Sequence, residues 1–272
     1  MKQMTMEAMC LHTGIPFEYV EAGRVSPKEE KVWKELFQND ETAFFETLDQ
    51  QEKRCETALY LSMKWAVESY EEYQQAGLSD KIYFDNYIDL GIWYRTCLEQ
   101  TKIPGISEYR WTSLPLKRKI YRLGRLQFEP THLQEDVKVG EEYYKKGTPA
   151  MEVHIPEGEG LSPKAVQDAF QQAELFFEKT VPYSYELYHC ESWLLSSGLK
   201  ELLPIESNIL KFQSLFSIYQ ELPSLQAEER VFRTVKEKPS DYPENTKLQR
   251  RLKQYLLDGK TIGMGYGIIK RI

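Results

Sequence analysis

The sequence predicts two domains. A helical N-terminal domain is expected over residues 1–112, and a domain of strands and helices around a mixed sheet (α+β / α/β) over residues 113–272. In the first part, apolar side chains recur every three or four residues, as on one face of an amphipathic helix. After residue 112 the period shortens to two, which is typical of strands, and strand-like segments then alternate with helix-like ones. A chain of 272 residues is long enough to bury two cores.

The N-terminal helices carry clear boundary signals. Ser26 and Glu29 open "SPKEEKVWKELF" as a cap and the carboxylate of a capping box. A second helix is expected from Gln51 to Ala76, with Gly77 as its stop. A third follows in "SDKIYFDNYIDLGIWYRTCLEQ". Its apolar face is expected in the core and carries Tyr83, Tyr87, Leu90, Tyr94 and Cys97.

The first strands of the second domain are read from alternation and proline. "KIYRLGRLQFEP" predicts one strand that ends at Pro130, with Arg122 and Arg125 on opposite faces. "DVKVGEEYYKKG" predicts a weaker strand or hairpin arm. "AMEVHIP" predicts a short strand closed by Pro156, and a helix with a long apolar stripe begins at Ser162.

The remaining elements complete the expected sheet. "YSYELYHCESWLL" predicts a strand and a turn, and "SNILKFQSLFSIYQ" predicts a helical stretch that includes Tyr219. "EERVFRTV" predicts a strand, and "NTKLQRRLKQYLLDGK" predicts an amphipathic helix. The glycine-rich "TIGMGYGIIKR" predicts a last strand on an exposed edge, where it could pair with a second subunit in a homodimer.

Composition excludes several classes of protein. A net charge of −7 and a pI near 5.4 argue against a nucleic-acid partner. No apolar run reaches membrane-spanning length, so no membrane partner is expected. The N-terminus does not resemble a secretory signal, which predicts a cytoplasmic location. The four histidines and four cysteines show no metal-ligand spacing, so no metal is expected.

The segment "HIPEGEGLSP" joins a strand to a helix through a glycine-rich loop. Gly158 and Gly160 allow close backbone approach, and the helix N-terminus after Ser162 favours an anion, so this loop is a candidate phosphate site. The alternative is an ordinary strand-to-helix turn. Glu157 and Glu159 favour that alternative, because their negative charge opposes a bound phosphate.

Three side chains near the ends of the predicted strands are candidates for proton transfer or substrate binding. His154 precedes the loop and is either a general base or a histidine bonded to backbone. His189 and Glu191 share one face of their strand, so they are either a base with its orienting carboxylate or separate site groups. If the two strands are neighbours, His154 and Glu191 could meet. Either Arg122 or Arg125 could contact an anionic substrate, or both are ordinary surface arginines.

Three segments carry a resemblance to a known family. "YRLGRLQFE", "VHIPEGEGLSP" and "CESWLLSSGLKELLPIESNILKFQ" together resemble bacterial acyltransferase-domain proteins. These have a helical N-terminal domain and a C-terminal domain similar to the GNAT N-acyltransferases. The resemblance implies acetyl-CoA or another acyl-CoA as co-substrate, whose acyl arm enters where strands 150–155 and 185–191 splay apart. Its pyrophosphate would be bound by Ile155, Glu157, Gly158, Glu159, Gly160, Leu161 and Ser162.

The resemblance also implies a reaction. A small-molecule amine or other nucleophile attacks the thioester, Glu191 or His154 acts as base, and Tyr219 acts as the acid for the leaving thiolate. His189, Arg122 and Arg125 would bind substrate. The alternative is a GNAT-like fold that has lost coenzyme A and binds another small molecule or a protein. Ile155, where the family usually has Gln or Arg, and the acidic loop favour that alternative.

Overall fold

The computed structural model describes residues 4–158 and 160–271, in two compact units. The first unit ends at Tyr121 and the second begins at Arg122. Glu159, one of the predicted cofactor-binding residues, lies outside the described residues.

The first unit is helical. Its helices are α1 (Met6–Thr13), α2 (Phe17–Ala22), α3 (Pro27–Asn39), α4 (Glu41–Asp49), α5 (Arg54–Glu68), α6 (Tyr70–Gln75), α7 (Asp80–Thr101) and α8 (Tyr109–Leu116).

Local signals explain where these helices begin and end. The capping box at α3 forms as predicted, since Ser26 N–H donates to Glu29 Oε2 at 2.9 Å and Glu29 N–H donates to Ser26 Oγ at 3.3 Å. The helix predicted from Gln51 to Ala76 is divided into α5 and α6 at Ser69. The Ser69 hydroxyl donates to Ala66 O at 2.8 Å, a back-bond that bends helices.

Tyrosines form the centre of the first unit. Tyr73, Tyr83 and Tyr87 are fully buried, with ring centroids 4.9 to 5.8 Å apart. Their hydroxyls are satisfied, because Tyr83 donates to Ala66 O at 2.6 Å and Tyr73 donates to Pro115 O at 2.7 Å. The predicted core face of α7 is therefore confirmed, since Leu90, Tyr94 and Cys97 are buried as well.

The second unit is built on a mixed sheet. Its strands are β1 (Tyr121–Leu123), β2 (Leu126–His132), β3 (Val137–Val139), β4 (Glu142–Tyr144), β5 (Pro149–His154), β6 (Leu187–Ser192), β7 (Ser217–Leu222) and β8 (Met264–Lys270). Its helices are α9 (Pro163–Lys179), α10 (Leu199–Leu202), α11 (Asn208–Gln213), α12 (Gln226–Phe232) and α13 (Lys247–Leu257), with 3-10 turns at Trp193–Leu195 and Pro239–Asp241.

The strand order of the main sheet is β1-β2-β5-β6-β8-β7. Strands β5 and β6 are parallel, whereas β2–β5, β6–β8 and β7–β8 are antiparallel. The β3–β4 hairpin forms a separate two-stranded sheet. The fold class predicted from the sequence, a helical domain followed by a mixed sheet with flanking helices, is confirmed.

The two faces of the sheet differ in character. On one face, Phe170 of α9 packs edge-on against Phe128 and Tyr188, at centroid distances of 5.7 and 4.8 Å. Ser162 caps α9 by accepting from Ala165 N–H, as predicted. The opposite face of the sheet carries the side chains that alternate with Phe128 and Tyr188 along the strands. The β3–β4 hairpin covers part of this face, where it packs over Ala150 and Leu187.

The strand predicted over "KIYRLGRLQFEP" is wrong in detail. It is two strands, β1 and β2, joined at Gly124, whose φ of +65° permits the reversal. Arg125 therefore lies in the connection and not on a continuous strand opposite Arg122. Pro130 lies inside β2 and does not end it. Proline is tolerated there because β1 has only three residues and, in the part of the chain that the structure describes, no other strand bonds that edge of β2.

Two further predicted elements are wrong. "EERVFRTV" was expected as a strand but belongs to helix α12 and the residues after it, because Ala227, Val231 and Phe232 reach the core at helical spacing. The helical stretch over "SNILKFQSLFSIYQ" ends with α11 at Gln213. Tyr219 therefore lies in strand β7 and not in a helix, since a short apolar run does not distinguish the two.

The glycine-rich last strand is central, not an edge. Strand β8 lies between β6 and β7, so both of its edges are already paired, and the expected pairing of this strand with a second subunit is wrong. Gly265 lets Leu195 approach closely, because a Cβ on Gly265 would lie 2.6 Å from the Leu195 carbonyl.

We expect Gly265→Ala to lower the free energy of unfolding by about 2 kcal/mol, because the clash with Leu195 exceeds the smaller gain in strand propensity. Urea denaturation measures this. The matched control is Gly160→Ala, whose added Cβ meets nothing within 4 Å and should change stability by less than about 0.5 kcal/mol. Equal stability of the two variants would contradict the close packing.

Candidate functional site

The parallel strands β5 and β6 separate part-way along their length. Their register pairs Ala150 with Leu187, Met151 with Tyr188 and Glu152 with His189. Beyond the last pair, β5 continues to His154 and β6 continues to Ser192. The sheet is thus open between its two central parallel strands, on the side where they end. Ligands commonly bind in α/β sheets at such an end.

His189 lies where the opening begins. Its side chain is buried, and Nδ1 lies 2.6 Å from Glu152 Oε2 while Nε2 lies 2.8 Å from the Tyr219 hydroxyl. A carboxylate accepts only, so Nδ1 carries a proton toward Glu152. The imidazole is therefore held between strands β5 and β7, with both ring nitrogens occupied by protein groups.

Glu152 also bridges the separating strands. Its second oxygen, Oε1, accepts the backbone N–H of Glu191 at 3.1 Å. A side chain of β5 thereby bonds the β6 backbone two residues beyond the last backbone pair. Because both oxygens are engaged, the orientation of this carboxylate is fixed.

A cavity of about 410 Å³ lies over this part of the sheet. Four predicted site residues line it together: His154, His189, Glu191 and Tyr219. The other lining residues are Thr131, His132, Leu133, Gln134, Glu135, Val137, Glu152, Gln226 and Met264. In this cavity His154 Nε2 lies 3.1 Å from Glu129 Oε2, and His154 is close enough for its charge to act on Glu191.

The surroundings in the cavity raise the pKa of three of its groups, His189, Glu191 and Tyr219. Burial lowers the pKa of His189, but the hydrogen bond and charge of Glu152 outweigh it, so the net pKa is raised. Partial desolvation by the cavity walls raises the pKa of Glu191, although its side chain reaches solvent, and the charge of Glu152 adds to this. Burial and the nearby carboxylates raise the pKa of Tyr219, which stays a phenol at neutral pH.

The predicted anion loop follows β5 directly. Gly158 has a φ of +127°, and a Cβ on Gly158 or Gly160 would meet nothing within 4 Å, so there is open space beside these two glycines. Glu157 forms an ion pair with Arg233, at the end of α12. Lys164 pairs with Asp168 at 3.2 Å, on its own helix. Leu161 is buried and Ile155 is half-buried.

The two predicted substrate arginines lie elsewhere, and neither lines the cavity. The Arg125 guanidinium is buried and donates to Pro156 O at 2.8 Å, so it holds the base of the loop. Arg122 is half-buried in β1.

Family comparison covers almost the whole chain. Residues 120–269 match the GNAT-like C-terminal domain, and residues 4–117 match the N-acyltransferase N-terminal domain. The chain belongs to this family of two-domain, GNAT-like proteins.

Solved structures with this fold include acyltransferases crystallised with acyl-CoA. An acyltransferase in complex with decanoyl-CoA and teicoplanin is 21% identical, with a TM-score of 0.78 over 97% of this chain and 87% of that one. A mutant acyltransferase in complex with octanoyl-CoA is 20% identical, with a TM-score of 0.79 over 98% and 88%. At this identity the similarity shows the fold. Among curated proteins, no sequence matches.

Sequence reasoning about this GNAT-like domain missed Glu152, Glu129 and Gln226. Glu152 carried a usable signal, because it lies two residues before His154 and so shares its strand face. Glu129 and Gln226 carried none, since their places in the site depend on which elements become neighbours. In residues 4–158 and 160–271, no helix is long and apolar enough to cross a membrane, and no three His, Cys, Asp or Glu side chains form a metal-binding group.

We expect the His189–Glu152 pair to stabilise the fold more at low pH. The folded-state pKa of His189 is raised, so its contribution is complete below the unfolded value of about 6.5 and is lost as pH rises through the folded-state pKa. Urea denaturation of wild type and His189→Gln at about pH 6 and about pH 8.5 tests this. The stability difference between the proteins should be larger at the lower pH; an equal difference at both would refute it.

Proposed function

We propose that this protein is an acyl-CoA-dependent N-acyltransferase that transfers an acyl group to a small-molecule amine. The observation that carries the proposal is the opening between parallel strands β5 and β6, followed at once by a glycine loop and a capped helix. A thioester held in that opening would present its carbonyl to the cavity that contains Glu191 and Tyr219. Family membership supports the same reaction class.

The pyrophosphate of coenzyme A would bind the segment from Ile155 to Ser162, which is the segment that the family resemblance implies. Backbone amides near Gly158 and Gly160 are accessible there, and the N-terminus of α9 adds its positive dipole. The acidic charge of Glu157 is offset by Arg233. That ion pair answers part of the objection that a loop carboxylate would repel a diphosphate.

The chemistry requires one base and one acid. As the amine nitrogen attacks the thioester carbonyl, the Glu191 carboxylate accepts its proton, and the raised pKa of Glu191 suits this role. The carbon–sulfur bond then breaks, and the Tyr219 phenol gives its proton to the leaving thiolate. His154 is the second candidate base, and its bond to Glu129 would orient it.

The classes of acyl donor and acceptor that we propose come from the solved structures with the same fold. Structures of this fold hold octanoyl- and decanoyl-CoA, and one holds teicoplanin as well. We therefore propose a medium-length acyl-CoA as donor alongside acetyl-CoA, and an amine-bearing small molecule as acceptor.

A second function remains in competition, in which the fold has lost coenzyme A and binds another small molecule or a protein. Two observations favour it: Ile155 stands where the GNAT loop usually carries Gln or Arg, and Glu157 is acidic.

Calorimetric titration with octanoyl-CoA, acetyl-CoA and free coenzyme A separates the two functions. We expect binding by wild type and at least about tenfold weaker binding by Gly160→Trp, whose indole would fill the open loop. Gly160 is a better probe than Gly158, whose positive φ would add strain to any side chain.

Gln171→Trp, on the exposed face of α9, is the matched control and should bind like wild type. Lack of binding by folded wild type to all three ligands would favour the second function.

We also expect Glu191→Gln to lower kcat by about 10²-fold with little change in affinity for octanoyl-CoA, because it removes the base and keeps the shape. Thiol release from octanoyl-CoA with a panel of primary amines measures this. Glu178→Gln, an exposed residue of α9, serves as control. If kcat were unchanged in Glu191→Gln, the role of base would be assigned to His154 instead of Glu191.

A further inference from the structure

We propose that Glu152, His189 and Tyr219 form a proton relay: Glu152 positions the imidazole, and His189 returns a proton to Tyr219 after Tyr219 has protonated the leaving thiolate. This inference rests on the proposed function. It gives His189 a different role from the substrate-binding role predicted from the sequence. It also adds Glu152 as a positioning residue.

The hydrogen-bond chain is continuous and crosses three elements. Glu152 Oε2 on β5 lies 2.6 Å from His189 Nδ1 on β6, and His189 Nε2 lies 2.8 Å from the Tyr219 hydroxyl on β7. Each nitrogen of His189 therefore has a hydrogen-bond partner, a carboxylate oxygen for Nδ1 and a hydroxyl for Nε2. Because Glu152 Oε1 is held by the Glu191 N–H, the carboxylate does not rotate away from the imidazole.

Substrate binding does not explain this arrangement well. Both nitrogens of His189 are engaged by protein groups, and its side chain is only 8% exposed. Tyr219 is half-buried and lines the cavity, so its hydroxyl is the member of the chain that a thiolate would reach. A relay uses the buried imidazole without requiring it to touch substrate.

The charged surroundings favour a protonated His189. The titratable groups that line the cavity with it are Glu152 on β5, Glu191 on its own strand, Tyr219 on β7, Glu135 before β3, and His154 at the end of β5. On β8, Tyr266 lies opposite Glu191 and Ile268 lies opposite His189. Burial lowers the pKa of His189, but Glu152, Glu191 and Glu135 raise it further than burial lowers it. With both nitrogens protonated, His189 donates to Tyr219 and leaves the phenol proton free to point at the leaving group.

Protons balance over the cycle. Tyr219 gives its proton to the thiolate sulfur as the carbon–sulfur bond breaks, and the resulting phenolate takes the Nε2 proton of the imidazolium. His189 becomes neutral. It keeps the proton on Nδ1, which stays hydrogen-bonded to Glu152. The proton that Glu191 took from the amine returns to His189 through solvent in the cavity, which restores the starting state.

The first test needs no substrate. In ¹⁵N NMR titrations of the whole protein, we expect Glu152→Gln to lower the titration midpoint of His189, because loss of the carboxylate leaves burial as the largest influence on its pKa. The chain has only four histidines, and His→Gln variants assign each signal. Glu201→Gln removes a carboxylate that pairs with Lys260 and does not line the cavity, so it is the control and should leave His189 unchanged. An unmoved midpoint in Glu152→Gln would overturn the relay.

The second test is kinetic and uses octanoyl-CoA with the amine panel. We expect Glu152→Gln to lower kcat by about 10²-fold, with KM for octanoyl-CoA within about twofold of wild type. The fall of kcat at alkaline pH should move to lower pH, because His189 loses its proton earlier. If the role of Glu152 were purely structural, the pH at which kcat falls on the alkaline side would not change.

A double-mutant cycle completes the test. In a Tyr219→Phe background the relay has no phenol to supply, so adding Glu152→Gln should change kcat by less than about twofold. Additive losses would overturn the relay while leaving acyl transfer intact. Failure of wild type both to bind and to turn over octanoyl-CoA would overturn the proposed function, and the relay with it.

Discussion

The structure depends on the point where β5 and β6 stop pairing. A parallel sheet that loses its backbone bonds in the middle leaves polar groups to satisfy, and buried polar groups need partners. Glu152 supplies one, since it accepts the Glu191 N–H across the gap while it holds His189. The same side chain thus stabilises the opening and organises the polar cavity above it. Stability and chemistry are coupled at this position.

Charge is balanced separately in the loop and in the cavity. In the loop, Glu157 is matched by Arg233, and Arg125 holds the Pro156 carbonyl from beneath. In the cavity, the charge of Glu152 adds to partial desolvation in raising the pKa of Glu191. The loop thus holds a matched ion pair, while the surroundings in the cavity raise the pKa of both Glu191 and His189.

Much of this was readable from the sequence where local pattern decides structure. Ser162 and Pro163 mark the start of α9, and alternation in "AMEVHIP" marks β5 and puts Glu152 and His154 on one face. The predicted site residues His154, His189, Glu191 and Tyr219 do line one cavity. Tyr219 arrives there on a strand and not on the expected helix, because a short apolar run leaves the element type undecided.

The sequence by itself determined the helical first part, the strand, loop and helix around Gly158, and the polar face of β6. Each follows from capping, glycine and alternation within a few residues. Only the tertiary structure decided that β8 is central, that Glu152 pairs with His189 37 residues away, and that Arg233 neutralises Glu157 from 76 residues away. Such pairings depend on which elements become neighbours in the sheet, and a local pattern carries no information about that.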